Sequence, residues 1–367
     1  MVNLHLADHP EPSGQEYETS KKIASLMRER GYAVEFPFAG FDTAFRGIYG
    51  ANDHKHKIAV MVEYDALPEI GHACGHCLSA AISLLAGFAM KDLQDALDAD
   101  IHLVGTPNEE AGGVKCVMVR HGVFDEYDMA IMVHLHNRNL IAPKLQAMDS
   151  YLYKFYGRSA HASQKPWDGI NALNAVQLTF HAIDMLRQHV TPDAQMHGII
   201  RYGGDAPNIV PEFASTEIFI RAEQRHYLNE LVRKVDNCAE GAAIATGCKW
   251  EKDETAPPYD NLLDNQPGMD ALAEVFEELG VPVDDNSALF GSSDAGNVSF
   301  ICPTFHPCLQ VVDRHIPLHT KEFQQAMKTP RAHRRLRTGA QLIAYHIAKI
   351  FSDEEKIKAM IAAGPNP

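Results

Sequence analysis

Several short stretches of this chain carry side chains that could hold a metal ion or move a proton. The densest is Gly71-His72-Ala73-Cys74-Gly75-His76-Cys77, with two cysteines and two histidines in six consecutive residues. Thiolate and imidazole are good ligands for zinc and its neighbours, and glycine lets the backbone turn tightly around a small ion. Cys74 can also be read as a nucleophile activated by a histidine, and the run as buried thiols with satisfied imidazoles. Glu109-Glu110 follows the apolar run 101–104 and the turn Gly105-Thr106-Pro107-Asn108. Two adjacent ionised carboxylates are costly in a cleft unless a cation neutralises them. One can then ligate the cation while its neighbour handles a proton, although an isolated acidic pair is more often a solvated loop. His134, at the end of the apolar run 129–133, and His319, in the turn Ile316-Pro317-Leu318-His319-Thr320, complete a mixed Cys, His and Glu set. Such a set is typical of a catalytic transition-metal site with a position open to water, and it suits calcium poorly.

The elements that would position these residues share one plan in the first 150 residues. Apolar, β-prone runs at 58–62, 101–104 and 129–133 stop abruptly at Glu63-Tyr64-Asp65, at the Glu109-Glu110 turn and at His134-Leu135-His136. They alternate with helical stretches at 17–30 and 79–91, and so read as buried strands of an α/β layer whose carboxyl ends form one edge. From about residue 151 the order becomes strand (151–156), helix (169–189), strand (197–202), strand (213–222), helix (226–246), strand (248–252), a ferredoxin-like split motif. The stretch Ala256-Pro257-Pro258-Tyr259 closes it. The α/β pattern then resumes with a helix at 266–279, the apolar run 309–312 and a last helix at 331–351. A domain spanning 151–259 is therefore expected as an insertion into a discontinuous catalytic domain formed by 1–150 and 260–367. Two loops of the insert, Gly157-Arg158-Ser159-Ala160-His161-Ala162-Ser163 and Gly203-Gly204-Asp205-Ala206-Pro207-Asn208-Ile209-Val210-Pro211, could donate hydrogen bonds into a cleft, or could be a helix-capping segment and a plain hairpin connection.

Composition removes several function classes. With 367 residues the chain is long enough for two domains, and 33 basic against 48 acidic residues give a net charge of -15. That charge repels phosphate backbones and anionic lipid, so neither nucleic acid nor a membrane is an expected partner. The longest uncharged apolar run, 77–90, falls short of the ~18 residues that a spanning helix needs. Seven cysteines at irregular spacing argue against a disulfide framework and for a reducing compartment, the cytoplasm by default.

Taken together, these residues resemble the aminoacylase and carboxypeptidase-type metallopeptidases, in the amidohydrolase branch. The motifs that carry the resemblance are Glu63-Tyr64-Asp65-Ala66-Leu67-Pro68, Gly71-His72-Ala73-Cys74-Gly75-His76, Pro107-Asn108-Glu109-Glu110-Ala111-Gly112-Gly113, His134, Ser159-Ala160-His161-Ala162, Asn208-Ile209-Val210-Pro211 and Gly291-Ser292-Ser293-Asp294. His197-Gly198-Ile199-Ile200 and Ser293-Asp294-Ala295-Gly296-Asn297 look most like the subgroup of aminobenzoyl-glutamate hydrolases and β-alanyl-lysine dipeptidases.

The resemblance implies a mixed-sheet α/β catalytic domain with an inserted ferredoxin-like lid and dimerisation domain. It also implies a metal-dependent amidohydrolase or dipeptidase that cleaves an N-acyl or N-aminoacyl amino acid. By resemblance, Cys74, His76, Glu110, His134 and His319 would bind one or two divalent ions, zinc or manganese, with Asp65 orienting a ligand and Glu109 as general base. His161 would stabilise the oxyanion from the partner subunit of a homodimer, and Asn208, Arg221 and Ser293 are the candidates for holding substrate. Cys77 departs from the pattern, since many relatives carry Asp or Asn there. A cysteine hydrolase built on Cys74 and a non-catalytic binding protein on the same fold are the competing readings.

Overall fold

In the computed structural model, which describes residues 2–285 and 289–365, the parallel strands form where the apolar runs lie. The strand His56–Val62 is β-branched and apolar, and Ile58, Ala59, Val60, Met61 and Val62 are all fully buried. Its residues alternate between two cores. Ile58, Val60 and Val62 join one apolar cluster and Ala59 and Met61 another, as they must in a strand covered on both faces. Ala99–Gly105 pairs with it in parallel on one side and Met129–Ile131 on the other. The full sheet runs Ala33–Glu35, Phe45–Ile48, Ala99–Gly105, His56–Val62, Met129–Ile131, Thr304–Phe305, with the first two strands antiparallel to their neighbours. A further parallel pair joins His134–His136 to Cys308–Gln310, so His134 opens a strand of its own after the run 129–133.

Helix His76–Met90 crosses this sheet closely, because a Cβ on Gly87 would come within 2.6 Å of Leu103 Cδ2. Against it packs Pro330–Phe351, which begins at Thr329, whose hydroxyl accepts the Ala332 amide at 3.3 Å, with proline in the first turn. By compactness the chain divides into two units, Met1–Lys144 with Leu262–Pro367 and Leu145–Asn261. Among the described residues no helix is long and apolar enough to cross a membrane.

The second unit has the order strand, helix, strand, strand, helix, strand: Ala147–Tyr156, Ala172–Leu186, Gln195–Tyr202, Phe213–Ala222, Arg225–Thr246 and Lys249–Glu254. Its antiparallel sheet is ordered Lys249–Glu254, Ala147–Tyr156, Phe213–Ala222, Gln195–Tyr202. Alternate residues Tyr153, Phe155, Ala214, Ile218 and Ile220 bury against Val176, Ile183, Leu228, Leu231 and Val235 of the two helices. A mixed-sheet α/β unit and an inserted ferredoxin-like unit are the architecture of this chain.

Two fully buried imidazoles in the first unit are held neutral. The Nε2–H of His346 donates to the Gly268 carbonyl at 2.9 Å, and His102 lies between the Tyr127 hydroxyl at 2.9 Å and Asn52 Oδ1 at 2.8 Å. Burial pulls both down to about 4. Between that value and the ordinary ~6.5 the unfolded chain binds more protons than the native one, so stability rises with pH across the window by ~1.4 kcal/mol per unit for each group. Urea unfolding at several pH values between ~4 and ~6.5 should show this acid loss. His346→Gln, which keeps a donor for Gly268, should lower the proton uptake on unfolding by nearly one.

Candidate metal centre and active site

The carboxyl ends of the three parallel strands deliver the site. Asp65 lies just beyond His56–Val62, Glu109 and Glu110 open a short helix Glu109–Gly112 beyond Ala99–Gly105, and His134 follows Met129–Ile131. Asn108 turns the chain ahead of the glutamates with a φ of 56°, and its amide is fixed by Glu16 Oε1 at 2.8 Å. Cys74 and His76 flank Gly75, whose φ is 92° and where a Cβ would meet Leu135 Cβ at 2.8 Å. Only glycine fits that turn. His319 arrives from the distant turn in a left-handed conformation, φ 61°, with its amide bonded to the Ala73 carbonyl at 2.9 Å. Such strain in a non-glycine residue is concentrated at functional sites.

The five residues expected as ligands come together. Donor atoms of Cys74, His76 and His134 lie within 4.8 Å of one another, as do those of Cys74, Glu110 and His319, so the thiol belongs to both groups. Cys74 Sγ is 3.4 Å from His134 Nε2, and His319 Nε2 is 3.6 Å from Glu110 Oε2. Asp65, fully buried, faces His76 Nδ1 at 3.2 Å and accepts from the Ser13 hydroxyl at 2.6 Å and the Glu110 amide at 3.0 Å. Burial opposes its charge, but the His76 ring and these hydrogen bonds outweigh it and hold the carboxyl at about 2. With Nδ1 engaged, Nε2 of His76 is left for a cation.

The site fits a divalent ion on its own terms. Glu110 Oε1 is buried without a hydrogen-bond partner 4.0 Å from His76 Nε2, a costly state that a cation between them relieves. Burial and the neighbouring imidazoles push His134 well below the usual histidine range, leaving the neutral ring that binds metal. Burial pushes Cys74 well above the ordinary thiol range, so a bound cation has to displace its proton before the sulfur can ligate. Burial, then Glu63, Asp294 and Glu110, raise Glu109 well above the usual carboxylate range.

Other expectations resolve differently. His161 and Asn208 do meet within the second unit, where the Ala162 amide donates to the Asn208 carbonyl at 3.0 Å and the Val210 amide to the Ala160 carbonyl at 2.9 Å. Arg221 does not join them. It pairs with Met148 and Gln195 at one end of the sheet, whereas Phe213, next to the Asn208 loop, pairs with Tyr156 at the other. Eight residues of strand separate the two by about 26 Å. The Ser293 hydroxyl accepts the Ala295 amide at 3.4 Å ahead of the short helix Ala295–Ser299, and the neighbour Asp294 reaches the carboxylate cluster. Cys77 is an apolar core residue, its thiol pushed up to about 12 by burial. Sequence reasoning missed Lys115, which contacts Glu63 and donates to Asp294 Oδ1 at 2.7 Å, and His306, stacked on His134 at 5.3 Å. A lone lysine within Val114-Lys115-Cys116-Val117-Met118-Val119 was the available signal.

A mixed α/β domain with a Cys, His and Glu centre at its strand ends, joined to a ferredoxin-like lid, defines a class of metal-dependent hydrolases. Residues 59–324 match the model of Peptidase family M20/M25/M40, and the chain belongs to that family. It is 30% identical to the Xaa-Arg dipeptidase of Homo sapiens over 94% of this chain and 84% of that one. With a p-aminobenzoyl-glutamate hydrolase chain of Escherichia coli (strain K12) it shares 30% identity over 75% of this chain and 61% of the relative. Among solved structures, a Bacillus subtilis protein described as a dinuclear metal-binding peptidase of the M20 family superposes with a TM-score of 0.72 at 19% identity, covering 94% of this chain and 95% of that one. The protein is a metal-dependent amidohydrolase that acts on amide bonds.

Replacing the shared thiol should be felt by every ion bound. Cys74→Ser is expected to weaken zinc or manganese binding by at least ~10-fold, since an alcohol is a far poorer ligand than a thiolate. Chelator competition on the purified protein measures it. Mass spectrometry of wild type during turnover should show no acyl-enzyme on Cys74.

Proposed function

We propose that this chain is a dipeptidase that hydrolyses N-aminoacyl amino acids, of the Xaa-Arg or β-alanyl-lysine kind, by water attack assisted by Glu109. The observation that carries the reading is the placement of Glu109, adjacent in sequence to the ligand Glu110 and within the ring of donors that includes His76. The match to Xaa-Arg dipeptidase over 94% of the chain supports a basic carboxyl-terminal residue, and the shorter match to the aminobenzoyl-glutamate hydrolase supports the alternative of an N-acyl amino acid. Cys74, His76, Glu110, His134 and His319 would hold one or two zinc or manganese ions per protomer. When bound, the metal supplies Lewis acidity to water and to the amide carbonyl.

Glu109 accepts a proton from the attacking water and later delivers it to the leaving amine nitrogen. Its raised affinity for protons favours the first of these steps, the uptake of the proton from water. Asp65 fixes the tautomer and orientation of His76. In the lid, the His161 ring is exposed, with Nδ1 near the Ser163 hydroxyl at 3.3 Å, and we assign it as the oxyanion donor to a partner subunit's site. Asn208 would bind substrate beside it.

A homodimer is supported by the sheet edge Gln195–Tyr202. Among the described residues it pairs on one side only, and it exposes Ile199 and Ile200, while Met185 on helix Ala172–Leu186 is 71% exposed. The seven cysteines are all free thiols, which supports a reducing compartment, the cytoplasm.

Two experiments test this reading. Glu109→Gln should retain metal and lose at least ~100-fold in kcat. Near-normal turnover would remove Glu109 from its role. Glu109→Gln protomers mixed with His161→Ala protomers, each inactive alone, should recover activity to about a quarter of wild type, since half of randomly exchanged dimers contain one intact site. No recovery where differential tags confirm exchange rules out the shared site.

A further inference from the structure

Lys115 is a wholly buried charge without a task in the hydrolysis itself. Its ammonium contacts Glu63 Oε2 and donates to Asp294 Oδ1 at 2.7 Å, while Asp294 Oδ2 accepts the backbone N–H of Lys115 at 2.9 Å. Both carboxylates are themselves buried. The other oxygen of Glu63 lies 3.0 Å from His76 Nε2 and has no hydrogen-bond partner. Glu63, His76 and Glu109 place ligand-type atoms within 4.8 Å of one another, a third grouping that could hold a metal. Glu63 is therefore close enough to the centre to become a ligand, and one of its oxygens is tied to a fixed cation instead.

We infer that Lys115 is a positioning residue whose ammonium ties Glu63 back and keeps that carboxylate from coordinating the ion held through His76. An ammonium with two carboxylates leaves a net charge of -1 behind the centre. Without it the charge would be -2 and Glu63 would be free to swing its acceptor onto the metal. An added anionic ligand binds a divalent ion more tightly, weakens its Lewis acidity and can fill the position that water needs. Lys115 thus trades metal affinity for an open, reactive centre. A purely structural lysine predicts something else, namely a less stable protein that binds metal no better.

The inference rests on His76 as a ligand, and the experiment separates the two claims. Apo-protein is titrated with zinc against a chromogenic chelator, kcat is measured on the zinc-loaded enzyme, and the apo melting temperature is recorded, for wild type, Lys115→Met and Lys115→Met/Glu63→Gln. The double variant has the net charge of wild type at this cluster and no free carboxylate to intrude. Lys115→Met is expected to bind zinc at least ~10-fold more tightly while kcat falls at least ~30-fold. Adding Glu63→Gln is expected to return zinc affinity to within ~3-fold of wild type and to raise kcat at least ~10-fold over the single variant. If Lys115→Met fails to fold, a folded double variant within ~10-fold of wild-type kcat supports the same role. A single variant with unchanged or weaker zinc binding, or a double variant that is unfolded or no more active than the single, overturns it. Wild-type protein that takes up no zinc overturns the ligand set, and Lys115 with it.

Discussion

The structure is organised around an electrostatic problem, the gathering of Glu63, Asp65, Glu109, Glu110 and Asp294 in one region of low solvent access. Carboxylates so arranged cannot all remain ionised unless positive charge is supplied from within. Lys115 supplies it for Glu63 and Asp294. Burial alone would strip the proton from His76, yet Glu63, Cys74 and Asp65 raise that ring well above its usual range, so a cation is favoured at this place. A divalent metal supplies the same charge and displaces that proton, which couples metal uptake to proton release.

The sheet makes this concentration possible. Parallel strands His56–Val62, Ala99–Gly105 and Met129–Ile131 are buried on both faces, and each ends at the same edge, where the chain turns out of the core and can change from apolar to charged within two or three residues. The turns themselves are specialised. Gly75, Asn108 and His319 all take positive φ, so three of the segments that carry ligands reach the centre through backbone states that ordinary residues avoid. The apolar clusters on either side of the sheet hold those turns in place.

The second unit follows a different logic. Its sheet buries one face under two helices, and its loops bring His161 beside Asn208 through backbone hydrogen bonds alone. The side chains stay exposed. Arg221 sits elsewhere in that sheet. It shares a strand with residues next to the Asn208 loop but lies at the opposite end, because a strand advances ~3.3 Å with every residue.

Much of this was legible in the chain itself. Apolar runs of four or five residues bounded by polar or charged groups marked the buried strands, since burial on both faces leaves little freedom of residue type, and the observed His56–Val62 and Ala99–Gly105 exceed the expected 58–62 and 101–104 by only one or two residues at an end. The βαββαβ order was equally plain, and Cys74, His76, Glu109, Glu110, His134 and His319 stood out by their density, by their placement in turns or after apolar runs and by the family resemblance of their motifs. What sequence could not show were the long-range pairings. Lys115 and Asp294 are 179 positions apart, and a lysine in an apolar helical turn carries no sign of its partners. Ser293 and Asp294 are neighbours, yet one accepts the backbone amide two residues on and the other faces the charge cluster. Local pattern determines which residues are apolar enough to be buried and which can do chemistry, but only the packed chain decides which charges meet, because the cost of burying each one depends on the groups that tertiary structure sets around it.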